Sequence, residues 1–264
     1  EREYPWLDEG LNSHHELRYM RLKYPEYNML LEQVPKFIKK VLDLNDYSNK
    51  QMVGEIGYLL NAWTGKDQPI ELHSADYTSM NYGSIVYSKT AVVFDYLMAY
   101  LGEEMYDKCM KKYFETWKFK HPGPEDVRYI FEETTGKDLS WFFDDMIKTT
   151  KKLDYAITGI KNEKQNLIIT IDNKGEIAGP VMINGIKNGK NISSMWVEGF
   201  KGQKKITYIN KEYDHIRIDY NGYMTEVNRN NNTIKTKGLF KTLEPIKFQL
   251  IGSMYNPKKT QIFY

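Results

Sequence analysis

A single cysteine, Cys109, stands in a chain of 264 residues, which excludes an internal disulfide and any multi-cysteine metal site. Long apolar runs are missing as well. The longest, Thr90 to Leu101, is interrupted by Asp95 and falls short of the roughly 20 apolar residues that a membrane span needs. Charge of one sign is not in excess: 37 basic and 35 acidic residues leave a net +2, so nothing concentrates the basic field that nucleic-acid partners require. The sequence has no glycine-rich phosphate loop, no G-x-S-x-G nucleophile elbow and no paired-cysteine motif. The first residues, Glu1 to Trp6, have neither the basic start nor the apolar stretch of a signal peptide. They lack an initiating Met and run at once into Tyr4-Pro5-Trp6-Leu7, the pattern expected of a piece excised from a longer chain. What is present is ordinary for a globular protein: 41% hydrophobic and 27% charged residues. The length suits one large domain or two ordinary ones.

The period of the apolar residues changes once. From about Leu11 to Thr150 they recur at helical spacing, and from about Tyr155 onward they alternate with polar residues. Val93, Leu97 and Leu101 predict an amphipathic helix starting near Tyr87 or Ser88 and stopped by Gly102. A second helix follows from Glu103, with Met105, Cys109, Tyr113 and Trp117 on one face. Pro122-Gly123-Pro124 breaks the chain before a helix over Glu125 to Thr134 that Gly136 ends, and a last helix spans Leu139 to Ile147. Gln165 to Asp172, Lys204 to Ile209 and His215 to Asp219 read as half-buried strands, with Asn188-Gly189 and Asn221-Gly222 as hairpin-type turns. The expectation is an α+β chain: a helical part over 1–150, a small antiparallel β-sandwich over 153–242, and the start of a further β element or linker over 243–264.

Two clusters could carry chemistry: Trp6-Leu7-Asp8-Glu9-Gly10 with the residues up to Glu16, and Tyr87-Ser88-Lys89. His15-Glu16-Leu17-Arg18-Tyr19 nearly spells the zinc-binding H-E-x-x-H, but Tyr19 stands where the second imidazole should be. A phenol is a poor zinc ligand, so the run reads as a decoy. Taken alone, Glu9 is an acid in a first helical turn with Asp8 as N-cap, Glu16 a solvated helix residue, and Tyr87 one of 21 tyrosines. His73, His121 and His215 have no ligand spacing and read as loop or strand residues.

The ordered motifs resemble the aminopeptidase N family of gluzincin zinc peptidases. Members carry H-E-x-x-H, eighteen further residues, then Trp-Leu-Asn/Asp-Glu-Gly, which Trp6 to Gly10 matches; later comes Tyr-x-Lys-Gly/Ala, which Tyr87-Ser88-Lys89 fits. Leu101-Gly102-Glu103, Tyr113-Phe114-Glu115-Thr116-Trp117, Pro122 to Asp126 and Gly136-Lys137-Asp138-Leu139 follow in the family's order, so the resemblance covers Trp6 to about Ile147. It implies the helical half of a thermolysin-like catalytic domain, one zinc ion in the intact parent, and a peptide or protein substrate. It assigns Glu9 as the third zinc ligand, Glu16 as the acid supporting it from two helical turns on, and Tyr87 as the donor to the tetrahedral oxyanion.

The same resemblance implies that the two His ligands and the general-base Glu lie outside the chain, the second His eleven residues upstream of the sequence and the base fourteen. The chain alone is therefore expected neither to hold a catalytic zinc nor to cleave peptides. Asn12 departs from the Ala common in the family, Thr90 replaces the usual Gly, and the Met-Glu-Asn exopeptidase motif is not in the chain, which leaves aminopeptidase against broader peptidase specificity open. Two other classes stand beside this reading: a catalytically silent relative acting as scaffold, and a protein or glycan binder presenting Trp196 and Phe200. The Ser253 to Gln261 tail resembles a junction in bacterial relatives with a further β domain and points to an extracytoplasmic parent.

Overall fold

Pro5 opens the first element, a 3₁₀ turn over Pro5–Leu7, where its missing N–H would have had no partner anyway. The turn feeds directly into α1, Glu9–Lys23. The computed structural model describes residues 2–25, 35, 54–163, 165–209 and 212–237. The further β element expected over 243–264 lies outside these residues. The chain divides into two compact units, Glu1–Thr150 and Lys151–Tyr264.

The first unit is helical. After α1 come α2 (Ile56–Trp63), a single α turn (Ser79–Asn81), a π-helical segment (Tyr82–Lys89), α3 (Thr90–Leu101), α4 (Glu103–Trp117), α5 (Pro124–Thr135) and a second π-helical segment (Trp141–Ile147). The helix expected to begin at Tyr87 or Ser88 begins earlier, because the Thr78 hydroxyl accepts the Asn81 N–H at 3.2 Å and caps the turn at Ser79. Nor is α3 amphipathic: every residue from Thr90 to Met98 is buried, so the helix runs through the core rather than along it. The buried centre of α4 is Tyr106 with Cys109, in place of the expected face through Met105, Tyr113 and Trp117. The last helix, expected over Leu139 to Ile147, is π-helical from Trp141, and the Leu139 carbonyl accepts both the Phe142 and Phe143 N–H groups, at 2.9 and 3.0 Å.

Aromatic rings close the core around α3. Phe94 meets Phe142 edge-on at 5.1 Å and stacks on Trp6 at 5.9 Å, while Tyr96 lies 5.1 Å from Trp141. Such pairs add about 0.5–1.5 kcal/mol each beyond the burial of their surface. Arg18 on α1 pairs with Asp107 and, at 3.4 Å, with Glu103, while Arg21 reaches the buried Asp95 at 3.1 Å; these ties hold α1 against α3 and α4.

Helix α5 shows how local signals bound an element. Its N-terminal Gly123 N–H donates to Asp126 Oδ2 at 2.7 Å, and Gly136 closes it in the left-handed region at φ 65°, donating to Glu132 O at 2.8 Å. A Cβ at Gly136 would meet nothing within 4 Å, so Gly136→Ala tests backbone strain alone. The expected cost is about 1 kcal/mol, read as a small fall in the thermal midpoint.

The second unit is built of antiparallel strands: β1 (Tyr155–Glu163), β2 (Asn166–Asn173), β3 (Val181–Lys187), β4 (Lys190–Val197), β5 (Gln203–Ile209), β6 (His215–Ile218) and β7 (Thr233–Lys235). They form a sheet in the order β1-β2-β5 and a sheet in the order β4-β3-β6-β7. The sheets touch where the Tyr208 hydroxyl of β5 reaches Ser193 Oγ of β4 at 3.0 Å. Asn188 and Gly189, at φ 50° and 71°, make the β3–β4 hairpin turn as expected. Asn221-Gly222 is not a tight hairpin turn, although β6 and β7 on either side of it are paired. It opens a long loop between β6 and β7 that folds inward on buried polar groups. In that loop Asp219 accepts the Tyr223 and Met224 N–H groups at 2.8 Å each, and Glu226 accepts the Tyr155 N–H at 2.8 Å and the Asn232 side-chain amide.

Candidate active site

The start of α1 is anchored by Trp6, which is fully buried. Asp8 holds the N-cap position but makes no side-chain capping bond, so the helix entry is set by the preceding 3₁₀ turn and by Trp6. Glu9, the first helical residue, is half-buried. Gly10 explains how close the next layer comes. A Cβ there would lie 2.4 Å from Thr90 Cγ2 and 2.7 Å from the Val86 carbonyl oxygen, closer than real side chains approach. Glycine lets α1 press against the π-helical segment, and Tyr87 follows Val86.

As a result Glu9 and Tyr87, far apart in sequence, come close enough for the Glu9 carboxylate to act on the half-buried Tyr87 phenol. Partial burial, then the neighbouring Glu9 carboxylate, with smaller effects of Tyr82 and Asp8, push the phenol up to about 12. At neutral pH Tyr87 is therefore a hydrogen-bond donor and not a base.

Two more tyrosines line up behind it. The Tyr82 ring meets Tyr87 edge-on at 5.9 Å, Tyr77 meets Tyr82 in the same way at 5.9 Å, and the Tyr77 hydroxyl is fixed on the Ile70 carbonyl at 2.5 Å. Five residues along a regular α-helix rotate a side chain about 140° away, whereas the i→i+5 bonding of a π-helix returns Tyr82 and Tyr87 to one side. Neither Tyr82 nor the Gly10–Thr90 contact was singled out as functional from the sequence. The five-residue tyrosine spacing was the available signal, and it fits no α-helical template.

The peptidase family M1 domain matches residues 3–146. The chain belongs to this family. The M1 chain is 26% identical over 128 residues to aminopeptidase M1-D of Oryza sativa subsp. japonica, covering 48% of this chain and 13% of the relative. It is 35% identical over 69 residues to aminopeptidase N of Streptomyces lividans, covering 26% of this chain and 8% of that protein. It thus spans a small fraction of the length of these curated relatives. In fold it resembles Legionella pneumophila aminopeptidase A, solved in complex with aspartic acid, with a TM-score of 0.54 and 15% identity over 80% of this chain and 22% of that one.

The remaining expected residues of the M1 chain fall in different places. Glu16 lies two turns along α1 from Glu9 and is exposed, with no hydrogen bond or ion pair among the described residues. Lys89 of the tyrosine motif is buried, its ammonium 5.1 Å over the Tyr58 ring. His14 belongs to the core: it is 1% exposed, its Nδ1 lies 3.2 Å from the Ala91 carbonyl, and burial lowers its pKa to about 4, so it stays neutral. His15 beside it is exposed. Among the described residues no three His, Cys, Asp or Glu side chains gather as a metal site. Among the described residues the donors that come together here are one carboxylate, Glu9, and one phenol, which is less than a zinc site needs. Among the described residues, too, no helix is long and apolar enough to cross a membrane.

Proposed function

We propose that this M1 chain contributes to a zinc-dependent, aminopeptidase-like peptidase in which Glu9 is the carboxylate ligand and Tyr87 the oxyanion donor, the other ligands and the general base coming from residues not in this sequence. The observation that carries the reading is the meeting of Glu9 and Tyr87 across the Gly10–Thr90 contact. Zinc, when bound, supplies a water of pKa about 7 and polarises the scissile carbonyl. The chain's own residues do the rest of what can be assigned here. Trp6 and Gly10 fix the direction of the Glu9 carboxylate. Tyr87 keeps its proton at neutral pH and offers it as a hydrogen bond to a developing oxyanion, a contribution of about 3–4 kcal/mol in comparable sites. Glu16 is placed on the same helix to support Glu9 through solvent or a further side chain. The substrate class is a peptide or protein.

In the intact peptidase, Tyr87→Phe is expected to lower kcat by about 100- to 1,000-fold with little change in KM, and Glu9→Gln to lower the zinc content measured by atomic emission. The 264-residue chain by itself is expected to show no EDTA-sensitive hydrolysis of aminoacyl substrates. Unchanged kcat in Tyr87→Phe would remove the oxyanion role, and full zinc occupancy in Glu9→Gln would remove the ligand role.

A further inference from the structure

Thr90 stands where the resemblance leads one to expect glycine, and the structure gives its side chain two separate tasks. It is fully buried at the junction between the π-helical segment and α3. Its hydroxyl donates to the Ile85 carbonyl at 3.1 Å, the same oxygen that accepts the Thr90 backbone N–H in an i→i−5 bond. That carbonyl therefore holds two donors at the point where i→i+5 bonding gives way to α-helix. Its methyl, Cγ2, sits in the space that a side chain on Gly10 would occupy.

The first contact bears on Tyr87 and the second on Glu9. With the wide turn kept, Tyr87 shares a side with Tyr82, whose ring backs it at 5.9 Å. With the turn tightened to α-helix, the two would part by about 140°. With the methyl in place, the Gly10 backbone rests on Thr90 and Val86, and the residue before Gly10 is Glu9. We propose that Thr90 is a positioning residue for the Glu9–Tyr87 pair: its hydroxyl holds the π-helical turn that aims Tyr87, and its methyl seats the start of α1 that carries Glu9. The catalytic consequence rests on the function proposed above; the positioning itself does not.

The test separates the two arms of the side chain. Thr90→Val keeps the branched shape and deletes the hydroxyl, while Thr90→Ser keeps the hydroxyl and deletes the methyl. Nuclear Overhauser contacts between the Tyr82 and Tyr87 rings, measured on the 264-residue chain, report the turn without reference to activity. Losing one neutral hydrogen bond, worth about 1 kcal/mol, is expected to shift the ratio of wide to tight turn about fivefold, weakening the ring contact in Thr90→Val and sparing it in Thr90→Ser. Circular dichroism at the wild-type level shows that both variants fold. Where Thr90→Val does not fold, Thr90→Ala reads the loss of the hydroxyl instead, without the unmatched branched methyl. An undiminished Tyr82–Tyr87 contact in the hydroxyl-free variant overturns the proposal. In the intact peptidase the same variant is expected to lower kcat by up to about fivefold at constant KM, whereas Thr90→Ser, which keeps the turn, is expected to spare the Tyr87 contribution and to lose only the seating of Glu9, read as weaker zinc retention. A lost ring contact with unchanged kcat supports the positioning and overturns the oxyanion role of Tyr87, so the two ideas fail separately.

Discussion

Gly10→Ala is expected to destabilise the helical unit by about 1–3 kcal/mol and to separate Glu9 from Tyr87. The added Cβ would fall 2.4 and 2.6 Å from two atoms of the Thr90 side chain and 2.7 Å from the Val86 carbonyl oxygen. A change of rotamer at Thr90 would move its methyl but not its Cβ, and the backbone carbonyl held in a helix cannot yield either. The start of α1 must then lift away, taking the Glu9 carboxylate from the Tyr87 phenol. Gly83→Ala is the control on the same segment, since nothing lies within 4 Å of its added Cβ and it leaves the left-handed region unused. It should be neutral, or stabilising by a few tenths of a kcal/mol, because alanine loses less chain entropy than glycine in a helix. Thermal unfolding of both variants checks the energetic part. Chemical shifts of the Tyr87 ring check the geometric part, and equal effects of the two substitutions would refute the close-approach argument.

The second large effect concerns Glu226, which is 1% exposed. Burial raises its pKa from 4.5 to about 8, with Asp219 adding to the rise, while the Tyr155 N–H, Asn232 and Arg229 favour the charged form and oppose it. Folding therefore binds a proton that the unfolded chain releases between pH 4.5 and 8. The stability contributed by this group is complete below pH 4.5 and is lost as pH rises toward 8, the reverse of an ordinary salt-bridged carboxylate. The slope is at most about 1.4 kcal/mol per pH unit for one proton. Hydrogen exchange at the Tyr155 amide, which Glu226 accepts at 2.8 Å, should report an opening free energy that falls across this window. Glu226→Gln should flatten that dependence at small cost, because Asn232 can turn its amide to offer an oxygen to the new donor. Glu226→Ala strands the Tyr155 N–H and the Asn232 amide and should cost about 3 kcal/mol at pH 5. A pH-independent opening energy in the wild-type chain would show that Glu226 is charged throughout.

How much of this was legible in the sequence depends on what each element announces. Helix α5 could be read almost to the residue because Pro124 and Gly136 bracket it and Val127, Ile130 and Phe131 mark its face. The π-helical segments could not be read, since the wider turn uses the same residue types and only the tyrosine spacing hints at it. Strand β3 was missed because six of its seven residues are buried, leaving no alternation to detect, and β4 because Ser193-Ser194 and Met195-Trp196-Val197 run together without alternation. Of the candidate site, Glu9 and Tyr87 were reached through ordered family motifs, not through any local property of either residue. That the two meet depends on Gly10 and Thr90, a contact between distant segments that no local pattern carries.

Cys109 is the chain's single thiol and lies wholly inside, between α4 and α5 side chains, with burial raising its pKa. An inward thiol with no second cysteine to confuse it is a native clock. A sulfhydryl reagent can reach it only when the layer formed by these helices parts, so the labelling rate counts openings of the helical unit one molecule at a time. Neither an engineered probe nor any catalytic turnover is needed, and the same readout would register whatever tightens or loosens the platform on which Glu9 and Tyr87 are held.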